Sequence, residues 1–180
     1  MKKVKIHDKT FGLYIPYEKI RSVIEEMAEK MNRDFNGKKP LFVCILNGSF
    51  MFAAELFKRI DIIETEISFV KLASYSGDTT TGTVKQLIGL NENIEGRTIV
   101  ILEDIVDTGI TIDNILVQLS KLNPKEVKIA TMLLKPAALQ KNVQLDYVGM
   151  EIPNDFIVGY GLDYDGYGRN LLDIYSVIKD

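Results

Sequence analysis

Tryptophan is absent, and cysteine and histidine occur once each in a chain of 180 residues. The single cysteine, Cys44, excludes an internal disulfide and any zinc cluster built on several thiolates. It lies within the apolar run Leu41-Phe-Val-Cys-Ile-Leu46 and reads as a small buried hydrophobe. His7 is the sole imidazole and nothing around it resembles a catalytic segment, so histidine-dependent triads are not expected. No stretch approaches the roughly 18 apolar residues of a membrane span. The basic start Met1-Lys-Lys also lacks the long apolar run of a secretory signal. Charge of one sign is scarce too: 22 Lys and Arg face 25 Asp and Glu, for a net charge of −3 and a pI near 5.3. Without a basic field, neither nucleic acid nor a membrane surface is an expected partner. Two nucleotide signatures are missing as well. There is no Gly-x-x-x-x-Gly-Lys-Ser/Thr, and Gly159-x-Gly161 is no dinucleotide fingerprint because position 164 is Tyr. The expectation is a soluble, cytoplasmic protein.

Hydrophobic residues make up 46% of the chain and charged residues 26%, an ordinary globular composition. At roughly 100–200 residues per domain, this length predicts one domain with its own core. From Tyr17 to Asn36 the apolar positions Ile20, Val23, Ile24, Met27, Ala28 and Met31 recur at spacings of three and four, predicting an amphipathic helix stopped by Gly37. Pro40 opens the apolar strand ending at Leu46, and Asn47-Gly48-Ser49 turns into a helix at about 50–60. Strands are predicted over 66–73, 98–102 and 127–134, with a helix over 111–122 stopped before Pro124. Short strands follow at about 146–151, 156–160 and 173–178. Such alternation of apolar strands and helices predicts an α/β fold: a parallel twisted sheet flanked by helices, with a less regular C-terminal part. Between Ser74 and Thr83 the chain is small, polar and glycine-punctuated, which predicts a long mobile loop.

In open α/β sheets, ligands sit at the carboxyl ends of the strands. The segment after the predicted strand 98–102 is Glu103-Asp104-Ile-Val-Asp107-Thr108-Gly109-Ile110-Thr111. Gly109 lets the backbone approach an anion, the N–H groups of a helix start point at it, and the hydroxyls of Thr108 and Thr111 add donors. Two carboxylates beside such a loop would repel a bare phosphate. They suit a ligand that also offers a vicinal diol, as a ribose 5-phosphate does.

This string resembles the signature of the type I phosphoribosyltransferases, in the form of the hypoxanthine-guanine branch. Leu46-Asn47-Gly48-Ser49 resembles the family's pyrophosphate loop, and Ser74-Tyr75 with the stretch after it resembles the flexible catalytic loop. Lys135 stands where the family places a purine-recognising lysine. Phe156-Ile-Val-Gly-Tyr-Gly-Leu-Asp-Tyr164 and Arg169 are similar to the purine-stacking hood and its pyrophosphate arginine. The resemblance implies a core over about 15–150 and a small irregular hood from about 151–180, with the N-terminal residues as a candidate part of it. It implies transfer of the phosphoribosyl group of phosphoribosyl pyrophosphate to an oxopurine base, with Mg²⁺ as cofactor and a homodimer or homotetramer as the assembly. Glu103 and Asp104 would hold the ribose hydroxyls, directly or through magnesium. Asp163 would hold a second, pyrophosphate-bound magnesium beside the purine pocket. Asp107 would be the general base for the purine N7 proton, within the 5′-phosphate loop 107–111. Asn47, Gly48 and Arg169 would bind pyrophosphate. Phe156 would stack on the purine, Lys135 would donate to its 6-oxo group, and the main chain of Ile157 would contact the base edge. The resemblance also implies that the 46–47 peptide can be cis.

The sequence departs from the family pattern at three places. Asn47 replaces a frequent lysine, Ile110 replaces a frequent basic residue, and Gly168 and Asn170 flank Arg169 where an aromatic and an acid are common. Two rival readings stand beside the enzyme: a transferase preferring xanthine or another base, and a non-catalytic regulator that senses phosphoribosyl pyrophosphate.

Overall fold

The computed structural model describes residues 2–75 and 84–178. Its helix α1 (Tyr17–Asp34) buries Ile20, Val23, Ile24, Met27, Ala28 and Met31, the stripe predicted from the spacing. Two strands precede it, β1 (Lys3–Ile6) and β2 (Lys9–Ile15), which the sequence reading did not include. Then come β3 (Leu41–Ile45), α2 (Phe50–Phe57), β4 (Glu66–Tyr75), β5 (Val84–Ile88), β6 (Thr98–Val106), α3 (Ile110–Ser120) and β7 (Glu126–Leu134). A 3₁₀ turn at Pro136–Ala138 leads to β8 (Tyr147–Glu151), β9 (Ile157–Val158) and β10 (Ile174–Val177).

Six strands form the main sheet in the order β5-β4-β3-β6-β7-β8. All its pairings are parallel except that of the edge strand β5, which runs antiparallel to β4. Alternating side chains divide the interior into two cores. Phe42, Cys44, Val100 and Leu102 pack with α1 and α2 on one face. Leu41, Val43, Ile45, Ile99 and Ile101 pack with Ile112, Ile115 and Leu119 of α3 on the other. Every residue of β3 is buried, as the continuous apolar run implies, and each such aliphatic side chain contributes about 1.5–3 kcal/mol.

A second sheet, ordered β1-β2-β10-β9, joins the two ends of the chain above the first. Phe11, Val158 and Tyr175 form its small core, with Val4, Ile6, Leu13, Tyr164 and Leu171 packed against them. The hood expected to be irregular is thus built on paired strands, half of them N-terminal. Its ladder combines a local hairpin, β1–β2, with the distant pairing of β2 to β10.

Two strand ends need correction. The strand predicted to stop at Leu102 runs on to Val106, because β7 keeps pairing with it through Ile105↔Leu133 and Val106↔Leu134. Glu103 and Asp104 therefore sit within the strand rather than after it. The strand predicted over 66–73 likewise runs to Tyr75, where Ser74 pairs with Lys85 and Tyr75 with Val84. The remainder of the expected loop, 76–83, lies outside the described residues. No described helix is long and apolar enough to cross a membrane.

Candidate active site

Three neighbouring parallel strands, β3, β6 and β7, bring their carboxyl ends together, and most of the expected residues fall there. After β3, the Leu46–Asn47 peptide is cis. A Cβ at the next residue, Gly48, would overlap the Asp104 carboxylate, so glycine lets the loop after β3 meet the Asp104 side chain of β6 without displacing it. Gly161, at φ +98°, closes from above: a Cβ there would overlap the Gly48 carbonyl oxygen.

Asp104 Oδ1 accepts the Ile105 N–H at 2.7 Å. Burial pushes the carboxyl up to about 6; backbone N–H groups and then the Arg169 cation pull it down, and Asp163 pushes it up again. Glu103 is buried beside it, and its Oε2 has no hydrogen-bond partner. Burial, reinforced by the Asp104 charge, raises Glu103 well above the usual carboxylate range. These oxygens suit a hard cation. Among the described residues, however, no three His, Cys, Asp or Glu side chains cluster to hold a metal. The donor set therefore fits an ion that keeps water and takes its other ligands from a substrate, as Mg²⁺ does.

One turn further on, Asp107 faces Lys135, their Oδ2 and Nζ atoms 3.5 Å apart. Lys135 is buried and its N–H donates to the Val106 carbonyl at 2.9 Å, while the Asp107 side chain is 46% exposed. The base candidate is open and its cation is walled in. Gly109, at φ +79°, is the N-cap of α3, which has no side-chain cap, so its first N–H groups stay available for an anion. The Ile110 N–H makes a long contact of 3.4 Å with Thr108 Oγ1. Thr111 lies in the first turn of α3, and Ile110 is 39% exposed. The sequence reading did not anticipate the segment behind this loop. The N–H groups of Gln140 and Lys141 donate to the Thr108 carbonyl, and Lys141 pairs with Asp113 at 3.1 Å.

Over the site, Arg169 donates to the Gly161 carbonyl at 2.8 Å and pairs with Asp163 at 2.7 Å. Asp163 also accepts the Gly166 N–H, so it belongs to the Arg169 turn rather than to one carboxylate cluster with Glu103. Phe156 is 42% exposed, whereas Ile157 is buried and pairs through its backbone with Ser176. Ser74 and Tyr75 are described as backbone of β4 alone. Gly161 and Tyr164 fall within the hood string read from the sequence, though without roles of their own; Asp8, which accepts the Tyr164 hydroxyl, had no sequence signal beyond a polar turn. A cavity of about 780 Å³ lies at the opposite end of the strands beside Lys38, Lys39, Arg97 and Lys125. Three of those cations are already paired, with Glu126, Glu64 and Glu66, so the cavity's size does not mark the chemistry.

Residues 16–165 match the phosphoribosyl transferase domain family. The chain belongs to the phosphoribosyltransferase family. Within it, the similarity runs to the hypoxanthine-guanine branch. The chain is 42% identical over 155 residues to a hypoxanthine-guanine phosphoribosyltransferase of Streptococcus thermophilus, covering 86% of each. It is 37% identical over 161 residues to one of Mycobacterium bovis, covering 86% of this chain and 79% of that protein. The crystal structure of a hypoxanthine phosphoribosyltransferase from Staphylococcus aureus superposes with a TM-score of 0.85 at 36% identity, covering 93% of this chain and 91% of the other.

Proposed function

We propose that this protein is a purine-salvage transferase that moves the 5-phosphoribosyl group of phosphoribosyl pyrophosphate onto hypoxanthine and guanine, releasing pyrophosphate. The observation that carries this reading is the meeting of the 103–107 carboxylates, the Asn47-Gly48 loop and Lys135 at the ends of β3, β6 and β7. The whole chain works as a single unit, with the hood closing over the core.

The transition state gains positive charge at the anomeric carbon and negative charge on the departing pyrophosphate, so catalysis consists of positioning, balancing both charges and moving one proton. The N–H groups of the α3 start, with Thr108 and Thr111, hold the 5′-phosphate. Glu103 and Asp104 receive the ribose hydroxyls, and Asn47, Gly48 and Arg169 receive the pyrophosphate. Phe156 stacks on the base, worth about 1–3 kcal/mol by analogy with other base–aromatic contacts. Lys135 donates to the 6-oxo oxygen, a contact the 6-amino group of adenine does not accept, and the Ile157 main chain meets the base edge. Asp107 takes the N7 proton, a role typically worth about 10²–10⁴ in rate.

Glu103 and Asp104 on the ribose side, and Asp163 on the pyrophosphate side, are the carboxylates that would hold Mg²⁺. When bound, the ion supplies positive charge that screens the substrate's phosphates and fixes its pose. Ser74 and Tyr75 begin the segment assigned to excluding water during turnover. We place the enzyme in the cytoplasm as a homodimer or homotetramer, and light scattering measures that state.

The test is a spectrophotometric assay of phosphoribosyl pyrophosphate and magnesium with hypoxanthine, guanine, xanthine, adenine and uracil in turn. Turnover of hypoxanthine and guanine is expected, with none of adenine or uracil. Failure to turn over any purine overturns the enzymatic reading.

A further inference from the structure

Phe156 projects from the hood with nearly half of its surface open, and a ring so placed needs lateral support to hold one orientation. Two neighbours supply it. Phe11, fully buried in β2, lies 6.0 Å away at a tilt of 44°, and Tyr164 stands edge-on at 5.4 Å and 86°. The second geometry is the T-shaped arrangement that the quadrupoles of two rings favour.

Tyr164 is itself fixed from several sides by the turn between β1 and β2. Its hydroxyl donates to Asp8 Oδ1 at 2.6 Å. The Lys9 ammonium lies 5.1 Å from the centre of the Tyr164 ring and pairs with Asp8 at 3.1 Å. His7 meets the same ring edge-on at 5.4 Å. The Tyr164 hydroxyl and Lys9 hold the Asp8 carboxyl down at about 2, so it stays an anionic acceptor across the physiological range. The backbone of Tyr164 is held separately, by paired hydrogen bonds with Tyr167 and by the Asp163–Arg169 ion pair beside it. Removing the ring therefore leaves that turn its own supports.

We propose that Tyr164 is a positioning residue for base recognition: seated by Asp8 and Lys9 of the N-terminal hairpin, it sets the orientation of the Phe156 ring on which the purine stacks. The proposal rests on the assignment of Phe156 as the base platform. It makes the N-terminal hairpin a determinant of affinity for the purine and not for the sugar phosphate.

Steady-state kinetics of Tyr164→Leu, Tyr164→Phe, Phe156→Leu and the double variant test it, with thermal unfolding of each. Tyr164→Leu should raise the KM for hypoxanthine about three- to tenfold, the range one aromatic edge contact supports. The KM for phosphoribosyl pyrophosphate and kcat should stay within about twofold, and Tyr164→Phe, which keeps the ring but loses the bond to Asp8, should give an intermediate rise in the hypoxanthine KM. In the Phe156→Leu background, Tyr164→Leu should add less than about a factor of two, because the two residues act through one ring. A hypoxanthine KM unchanged in Tyr164→Leu, an equal rise for both substrates, or full additivity in the double variant overturns the proposal. If Phe156→Leu alone leaves the hypoxanthine KM unchanged, the base-platform assignment itself falls.

Discussion

The buried ammonium of Lys135 and the open carboxylate of Asp107 stand 3.5 Å apart, joining the end of β7 to the end of β6. The pair links the residue assigned to the purine oxygen with the one assigned to its N7 proton. Parallel pairing of Val106 with Leu134 places the two residues side by side. Asp107→Asn should lower kcat at least about tenfold while the KM for phosphoribosyl pyrophosphate changes less than about threefold. Steady-state assays with both substrates varied measure the split. An unchanged kcat, with chemistry shown to limit turnover, removes Asp107 from the mechanism.

Asp104 predicts a conflict between stability and function. Its carboxyl rises from 3.8 to about 6 on folding, so the stability it lends is present at low pH and is lost as pH climbs through 6. At pH 8 the buried charge costs up to about 3 kcal/mol. Asp104→Asn should therefore melt a few degrees higher than the parent at pH 8 without magnesium, with the gap closing toward pH 4, and should lose most activity. Calorimetry across that range checks the sign, and a variant less stable at pH 8 contradicts the account.

Asp173 has the opposite sign. It accepts the Tyr17 N–H at 3.0 Å, the Lys2 ammonium at 2.7 Å and the Tyr175 hydroxyl at 3.2 Å, and these partners hold its pKa down. Its contribution is complete above its ordinary value of 3.8 and fades as pH falls through the lowered one. Pro16, the N-cap of α1, has no capping side chain, so Asp173 caps the helix from a distance. Asp173→Ala should cost about 2–3 kcal/mol, or about 4–12 °C in Tm at neutral pH, and the difference should shrink in acid.

Two glycines should fail in different ways. An added methyl at Gly48 meets the end of a side chain, so Gly48→Ala should displace the Asp104 carboxylate and reduce kcat/KM at least about tenfold with little change in Tm. At Gly161 the methyl meets backbone, and φ is +98°. Gly161→Ala should lower both Tm and activity. Melting curves set beside assays of the two variants separate these outcomes.

Much of the architecture was readable in one dimension. The α1 stripe, the buried β3 run and the β6–α3 string each carry a local period or spacing that physical chemistry translates directly. The edge strands β1 and β5, and β2 beside β1, were not readable. At four and five residues β1 and β5 are too short to carry a telling period, each held by a hairpin with its sequence neighbour, while β2 is also held by β10 at the far end of the chain. Glu103 and Asp104 looked like strand punctuation because carboxylates rarely enter a buried strand, yet a ladder of backbone hydrogen bonds tolerates any side chain that its site can use.

The sequence by itself determined the class of fold and the candidate phosphate loop, because hydrophobic periodicity and loop chemistry act over a few residues, and it named most of the candidate site residues by motif. Tertiary structure alone decided which of those residues meet. The contacts of Gly48 with Asp104, Lys135 with Asp107 and Tyr164 with Asp8 depend on strand register and steric fit between distant segments. Asp173 caps a helix 156 residues away, a relation for which no local pattern is a signal.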